Sequence, residues 1–389
     1  VTWLRDGNEL TMAWRLLAYG RSRSIVALVG VAVAALLMLT VLSLKEAVFR
    51  SALLVPGSLR GDLIVLSQRT LTVMRPARFP VRFLHRLRGV EGVARVSAIS
   101  VDTGRWTDPW THREHQIRVW GIDLQSDVLG LPGVDPADPV LRSSDTVLFD
   151  ELSRPKFGPV AAELRSGKAV ATEVNGRDIE VVGLTRAGIS VGIDGNLFTT
   201  PANFQRLFPS SSTAACHIGS VALAPGADLA SVLATAQRLL GSEALILRRV
   251  EMVDSEIDYM RANEPVDFIM TMIAAVAFTV GLIIVYQILF ADVLSNLPQF
   301  ATLKAMGFAN GYLLRIVMSE GLVLSLLGFW PGLAGAHVLA WAAQAVIVMP
   351  VDVTWDRALL VLGLTVAMCC LAATAAVRKL SSADPANVF

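Results

Sequence analysis

Hydrophobic positions in this chain follow two regimes. In four places they run on almost unbroken, and between the first and second of these runs they alternate with polar residues over short stretches. The first run, 25–44, is bounded by Arg21 and Arg23 before it and by Lys45 and Glu46 after it. A helix rising about 1.5 Å per residue needs roughly 20 apolar residues to cross about 30 Å of hydrocarbon. The core of a cleaved leader is shorter, about 7–15 residues, so the run predicts a membrane anchor that continues as a helix through 45–50. A second run, 266–291, is broken only by Asp267 and Gln287. The third follows Arg315 and reaches Met349, and the last, 358–377, is closed by Arg378 and Lys379.

The third run is long for one span, so it reads either as one kinked helix or as two short ones. Charge decides. Arg15, Arg21 and Arg23 precede the first run, Lys304 and Arg315 lie between the second and third, and Arg378 and Lys379 follow the last. Basic residues collect on the cytoplasmic side of a membrane, and the three clusters share a side only if there are four spans with both termini inside. The predicted organisation is an amphipathic interfacial helix within 1–23, spans at 24–45, 265–291, 316–349 and 358–377, an outer domain at 46–264, and a cytoplasmic loop at 292–315. A short outer loop at 350–357 and a cytoplasmic tail at 378–389 complete it.

Within 46–264 the pattern changes to period two. The stretches 62–67, 93–100, 116–120, 178–184 and 219–223 are rich in β-branched residues and bounded by Gly, Asp or Pro, which predicts strands. Helical patterns occupy 79–87 and 229–240, the latter with Gly226 ahead and Gly241 behind. The ends of the insert, 45–54 and 250–261, read as helical stalks. The fold class is therefore an integral membrane α-helical protein of four transmembrane helices, with an α+β extracytoplasmic domain between the first and second.

Composition agrees: 53% of residues are hydrophobic and 17% charged, against about 25% charged in soluble proteins. A net charge of +1 makes no case for nucleic acid. The three cysteines form no disulfide framework, since Cys369 and Cys370 sit together in an apolar run and Cys216 stands alone. Gly188-Ile189-Ser190-Val191-Gly192, with Asp194 and His217 downstream, has the spacing of a nucleophile elbow. An elbow needs a helix after its serine, and the following Ile193-Asp194-Gly195-Asn196 reads as a turn, so no catalytic residue is assigned. His112 and His115 lack an evident third ligand for a metal and read as a solvated loop. No G-x-x-x-x-G-K-[ST] phosphate loop occurs, so no cofactor is expected in the chain and any use of ATP requires a partner.

Two features inside the third run stand out. Glu320 is a carboxylate in a span, which costs about 2.5–3.5 kcal/mol at a helix centre. It reads either as a tolerated charge near the headgroups or as a contact that transmits motion. Gly328, Pro331 and Gly332, followed by Gly335, combine a small-residue face with a helix-breaking residue, so close packing and a hinge are both open.

The loop between the second and third spans carries a resemblance. Tyr286-Gln287-Ile288-Leu289, Asp292-Val293, Leu297-Pro298-Gln299-Phe300 and Ala301-Thr302-Leu303-Lys304-Ala305-Met306-Gly307-Phe308 are similar to the permeases of the FtsX/MacB superfamily, the mechanotransmission or type VII ABC transporters, and most of all to the DevC-type exporter permeases. Arg378-Lys379-Leu380 and the Ala383–Phe389 tail add to the resemblance, as do Asp194-Gly195-Asn196-Leu197-Phe198, Asn203-Phe204 and Leu207-Phe208 in the insert. Gln299 departs from the family, which usually has Glu there.

The resemblance implies that Leu297, Phe300, Thr302, Leu303, Lys304, Met306, Gly307 and Phe308 form a coupling helix that docks on a separate ABC ATPase, which would bind ATP and Mg. The residues support this independently: Phe300, Leu303 and Met306 place apolar groups on a short exposed segment, and such a face calls for a partner. It further implies a permease homodimer in the bacterial inner membrane, with the outer domain in the periplasm. A periplasmic membrane-fusion adaptor and a TolC-like outer-membrane channel would complete a tripartite efflux assembly for an amphiphile such as a glycolipid. The chain itself would not be an enzyme. Within the same superfamily, a lipoprotein- or lipid-releasing permease and a signalling permease that activates an envelope enzyme are the alternatives.

Overall fold

The computed structural model describes residues 21–124, 126, 128–134, 139–190, 192–212, 214–263, 265–295, 306, 310–347 and 351–381. The chain divides after Ala47 and before Pro265 into a helical unit and a sheet unit. The chain opens with α1 (Arg21–Ala52), the single turn α2 (Leu54–Gly57), β1 (Leu63–Ser67), β2 (Phe79–Pro80), α3 (Arg82–Leu87), β3 (Val93–Thr107) and β4 (Glu114–Gly121). Next come β5 (Thr146–Asp150), α4 (Val160–Arg165), β6 (Val170–Val174), β7 (Arg177–Thr185), β8 (Asn196–Thr199) and α5 (Pro201–Leu207). The sheet unit ends with β9 (Ala215–Cys216), β10 (Ile218–Leu223), α6 (Leu229–Leu240), β11 (Ala244–Arg248) and α7 (Arg249–Asn263). The remaining helices are α8 (Pro265–Ser295), α9 (Asn310–Ile347) and α10 (Trp355–Ser381).

Among the described residues four helices are long and apolar enough to span a bilayer: Ile25–Ala52, Pro265–Ser295, Leu314–Gln344 and Trp355–Arg378. The protein is therefore a membrane protein. Along α1 the buried positions Ala27, Val31, Ala34, Ala35, Met38 and Leu39 repeat at helical spacing and enter one core with Val285, Leu289, Leu324, Val361 and Met368. Ile25, Val26, Val29, Val33 and Leu37 point away from that core, as expected of a helix that meets lipid on one side. At one end of the bundle Lys45 pairs with Asp267 at 2.7 Å and donates to Thr271 at 3.1 Å, while Glu46 meets Arg357 at 3.4 Å. These contacts tie α1 to α8 and α10.

In the sheet unit, nine strands run in the order β11-β1-β10-β3-β4-β8-β5-β7-β6, and β6 pairs back with the end of β3 through Trp106–Val174 and Thr107–Glu173. The six strands from β3 to β6 thus close into a ring. The long β3 belongs to two structures, an open sheet with β10, β1 and β11 in its first half and the ring in its second. Alternation sorts the cores. Leu63 and Val65 of β1 face Leu84, Leu87, Val232 and Leu240 of α3 and α6, whereas Ile64 and Leu66 face Ile99, Ile218 and Met252. Trp106, Ile117, Val119, Val147, Phe149, Phe157, Ile179, Val181 and Leu197 form a separate cluster that fills the ring.

Two local expectations need correction. The helix expected over 79–87 begins only at Arg82, because Phe79 and Pro80 pair with Cys216 and Ala215 as strands; a residue before proline is held extended. The strand expected at 93–100 continues to Thr107. The amphipathic helix expected before Arg21 and the tail from Ser382 lie outside the described residues.

Candidate functional site

The membrane helices meet through glycines. A Cβ on Gly332 would lie 2.6 Å from the Ala32 carbonyl oxygen and 2.9 Å from Ala35 Cβ, and one on Gly328 would lie 2.7 Å from Val31 and 3.2 Å from the Leu28 oxygen. Gly335 meets Leu36 in the same way. The i, i+4 spacing of Gly328 and Gly332 puts both on the face of α9 that receives α1, and missing side chains let the backbones approach. Pro331 lies inside α9 without ending it. Gly30 against Ile284, and Gly281 against Ala34 and Met368, extend the same close packing to α8 and α10.

Glu320 is buried, with 4% of its surface exposed. Its carboxylate therefore lies among the helices of the bundle. Gly321 beside it lies against the backbone of Cys369, and Asp292 of α8 is its charged neighbour. Arg315 lies over the Tyr312 ring at 5.9 Å. Of the eight loop residues assigned to coupling, Leu297, Phe300, Thr302, Leu303, Lys304, Gly307 and Phe308 lie outside the described residues, and Met306 is exposed.

In the sheet unit the Asp194–Phe208 motif has a structural role. Asp194 pairs with Arg154 at 2.7 Å and Lys156 at 2.5 Å. Asn196 is buried, donates to Asp150 at 3.0 Å and to the Gly188 oxygen at 2.8 Å, and accepts from the Trp120 indole at 3.1 Å. Asp150 is fully buried and also accepts from the backbone N–H groups of Leu152, Ala187 and Gly188. Burial pushes its carboxyl up and outweighs these donors, which favour the charged form. Gly188, at φ +90°, turns the chain here with Leu54 packed against it, where an added Cβ would sit 2.7 Å from a methyl. Asn203 caps the same ring by donating to the Ser143 and Thr146 oxygens and accepting from the Asp145 N–H.

The elbow-like residues do not converge. Ser190 is buried in a tight turn closed on Ile193, and the next element is strand β8, not a helix. Asp194 is held by its two cations, and His217 sits among different partners. His112 occupies a left-handed turn at φ 55°, His115 packs edge-on against Phe157, and among the described residues no third ligand joins them.

His217 was not legible as a cluster, because its partners come from distant parts of the chain. Its Nδ1 faces the Val101 N–H at 3.1 Å and its Nε2 faces Arg78 Nε at 3.2 Å, while Arg78 also donates to Asp102 and Ser211. Both ring nitrogens thus face donors; the neutral ring, with one proton and one lone pair, can accept from one of them, and a second ring proton would leave neither nitrogen able to accept. Burial, then the charge of Arg78, holds its pKa down at about 4 against an ordinary 6.5. The folded chain therefore excludes a proton that the unfolded chain accepts. Its stabilising effect is complete above pH 6.5, is lost as pH falls toward 4, and amounts to about 3 kcal/mol. His217→Gln is expected to flatten that part of the pH profile, measured as the unfolding midpoint of the detergent-solubilised chain from pH 7 to pH 4.

Residues 271–385 match the family model of the FtsX-like permease C-terminal domain. Over 234 residues the chain is 24% identical to uncharacterized ABC transporter permeases of Mycobacterium tuberculosis strains CDC 1551 and H37Rv. The match covers 59% of this chain and spans 61% of the length of those relatives. Among solved structures, the periplasmic region of MacB from Actinobacillus actinomycetemcomitans aligns at 15% identity and a TM-score of 0.38, over 51% of this chain and 94% of that one. The extracellular domain of the noncanonic ABC-type transporter YknZ from Gram-positive bacteria aligns at 17% identity and a TM-score of 0.35, over 48% and 99%. The part of this chain from residue 271 to residue 385, which takes in most of α8 and all of α9 and α10, is thus similar to the FtsX-like permease C-terminal domain.

Proposed function

We propose that this chain is the permease subunit of an ATP-driven export system of the FtsX/MacB type. A separate ABC ATPase docks on the loop from Leu297 to Phe308. The observation that carries the reading is the FtsX-like domain at 271–385, which contains this loop and its apolar residues Phe300, Leu303 and Met306. With no phosphate loop in the chain, ATP and Mg belong to the partner, and the chain's part is mechanical. Closure of the ATPases on a pair of permeases moves the loop, and the movement passes along the helices to the domain between α1 and α8. The unbroken course of α1 from Arg21 to Ala52 suits such transmission. In the DevC-like form of this reading, the outer domain lies in the periplasm and works an adaptor and an outer-membrane channel, with an amphiphile as cargo.

Replacing Phe300 or Leu303 by Asp puts a charge into the docking face. Each change is expected to weaken ATPase binding by at least about tenfold, since apolar anchors in an interface commonly contribute over 1 kcal/mol each. Co-purification of the ATPase with the permease, and the ATPase activity of the complex, are the measurements. If both survived both substitutions, docking at this loop would be wrong.

A further inference from the structure

We propose that Arg78, Arg118, Ser211 and His217 form a binding site for a dianionic phosphate group on the sheet unit, with the charge of Arg75 beside them. The tautomer of His217 sets the site. The Val101 N–H lies just past the terminal pair of β3 and β10, Ile99 with Ile218, and the acceptor it meets is His217 Nδ1. Val101 is buried, and a buried backbone N–H is costly to leave unpaired. Nδ1 therefore keeps the lone pair and Nε2 carries the proton. The Nε2–H then faces Arg78 Nε–H across 3.2 Å. Two donors meet there without an acceptor, and one anionic oxygen set beside the gap would accept from both.

Further donors lie close by. Arg78 Nη2 donates to Asp102 at 3.1 Å and to Ser211 at 3.0 Å. Ser211 is buried, and with its oxygen accepting from Arg78 its own O–H is left to donate. Arg118 of β4 donates through Nη1 to the Met74 oxygen at 3.0 Å, but its Nε is buried and, among the described residues, has no acceptor. Such a donor calls for a partner. Burial pulls the Arg118 pKa below its ordinary value; Asp102 opposes this and Arg75 adds to it. The charge of Arg118 also acts on His217, as do those of Arg78 and Asp102, so the groups share one neighbourhood. Glu256, the other carboxylate at this loop, is taken up by the Thr72 hydroxyl and the Val73 N–H. Charge selects the ligand: Arg75, Arg78 and Arg118 against Asp102 leave an excess of two positive charges, which a phosphate group matches and a single carboxylate does not. The donors come from the loop before β2, from β4, and from the segments before β9 and β10, an arrangement suited to a tetrahedral anion, and arginine pairs well with phosphate oxygens. All of these residues belong to the sheet unit, and the inference is independent of ATPase docking.

The test is calorimetric binding of inorganic phosphate, of glycerol phosphate as a phosphate monoester, and of acetate to the detergent-solubilised full chain, at about pH 8, where phosphate groups are dianions, and at fixed ionic strength. Both phosphates are expected to bind at least about tenfold more tightly than acetate, and the tighter of the two identifies a free ion or an ester as the source. Arg78→Gln and Arg118→Gln are each expected to weaken phosphate binding by about tenfold, the loss expected for one charge-assisted hydrogen bond. Arg75→Gln, at an exposed position, is expected to weaken it by about threefold through charge alone, and keeps the test readable if the other two variants fail to fold. Nitrogen-15 shifts of the His217 ring are expected to show the proton on Nε2 and to move when phosphate is added. Phosphate binding no tighter than acetate binding would overturn the proposal. So would binding unchanged in all three variants, or a His217 ring that carries its proton on Nδ1.

Discussion

Replacing Gly332 by alanine is expected to destabilise the membrane bundle by about 3 kcal/mol, the upper range for forcing a methyl into a filled core. The added carbon would sit 2.6 Å from the Ala32 carbonyl oxygen, which belongs to a helix backbone and cannot rotate away as a side chain would. Relief requires α1 and α9 to separate, and their separation also loosens Gly328 against Val31 and Gly335 against Leu36. Gly332→Val is expected to cost more and to prevent a stable bundle from forming. Gly363→Ala on α10 is the matched control, because its Cβ would meet nothing within 4 Å; it is expected to be neutral or to stabilise by up to about 1 kcal/mol through helix propensity. Thermal unfolding of the purified protein in one detergent compares the three. A Gly332→Ala midpoint equal to that of Gly363→Ala would show that the two helices do not approach as closely as described.

The second large effect lies in the sheet unit. Asp150→Ala removes the acceptor of four donors, the N–H groups of Leu152, Ala187 and Gly188 and the Asn196 amide. Leaving buried donors unpaired costs about 1–3 kcal/mol each, and with some relaxation the total is about 4 kcal/mol. Asn196 also holds Trp120, so the loss spreads into β4. Asp150→Asn keeps an acceptor oxygen but turns an amide N–H₂ toward donors, and is expected to fall between. Hydrogen exchange at Ala187 and Gly188 gives a local readout. Unchanged protection there in Asp150→Ala would mean that the carboxylate does not hold this turn.

Much of the helical unit was legible because its signals are local. An unbroken apolar run is visible in any window, and the glycine pair at 328 and 332 announces close packing through its spacing. Gly30, Gly281 and Gly321 were not singled out, since a lone glycine in an apolar helix has no such period; what fixes their role is the neighbouring helix. Helix α6 was read to its ends because both ends are marked: the Asp228 side chain accepts from the Ala230 and Ser231 N–H groups, and Gly241 adopts φ +55°. Among the strands, β8 was legible as a strand-like piece after the turn at 193–196, while β5, β6 and β11 were missed. The missed ones are short, and β5 is buried on both faces, so it shows no alternation. The closure of six strands into a ring depends on Trp106 finding Val174, a pairing between distant positions that no short window records. The same is true of Asp150 and of His217, whose partners are gathered only by folding.

Strand β1 has both of its neighbours at the far end of the insert, β10 at Ile218–Leu223 and β11 at Ala244–Arg248. At synthesis rates of about 5–20 residues per second, the last of these follows β1 by roughly 10–40 seconds. For that interval Leu63-Ile64-Val65-Leu66 is an apolar strand with two open edges, already tethered to a membrane by α1. The sheet unit cannot complete its core until the end of the insert has been made, so this segment is open until then to premature pairing with another nascent chain.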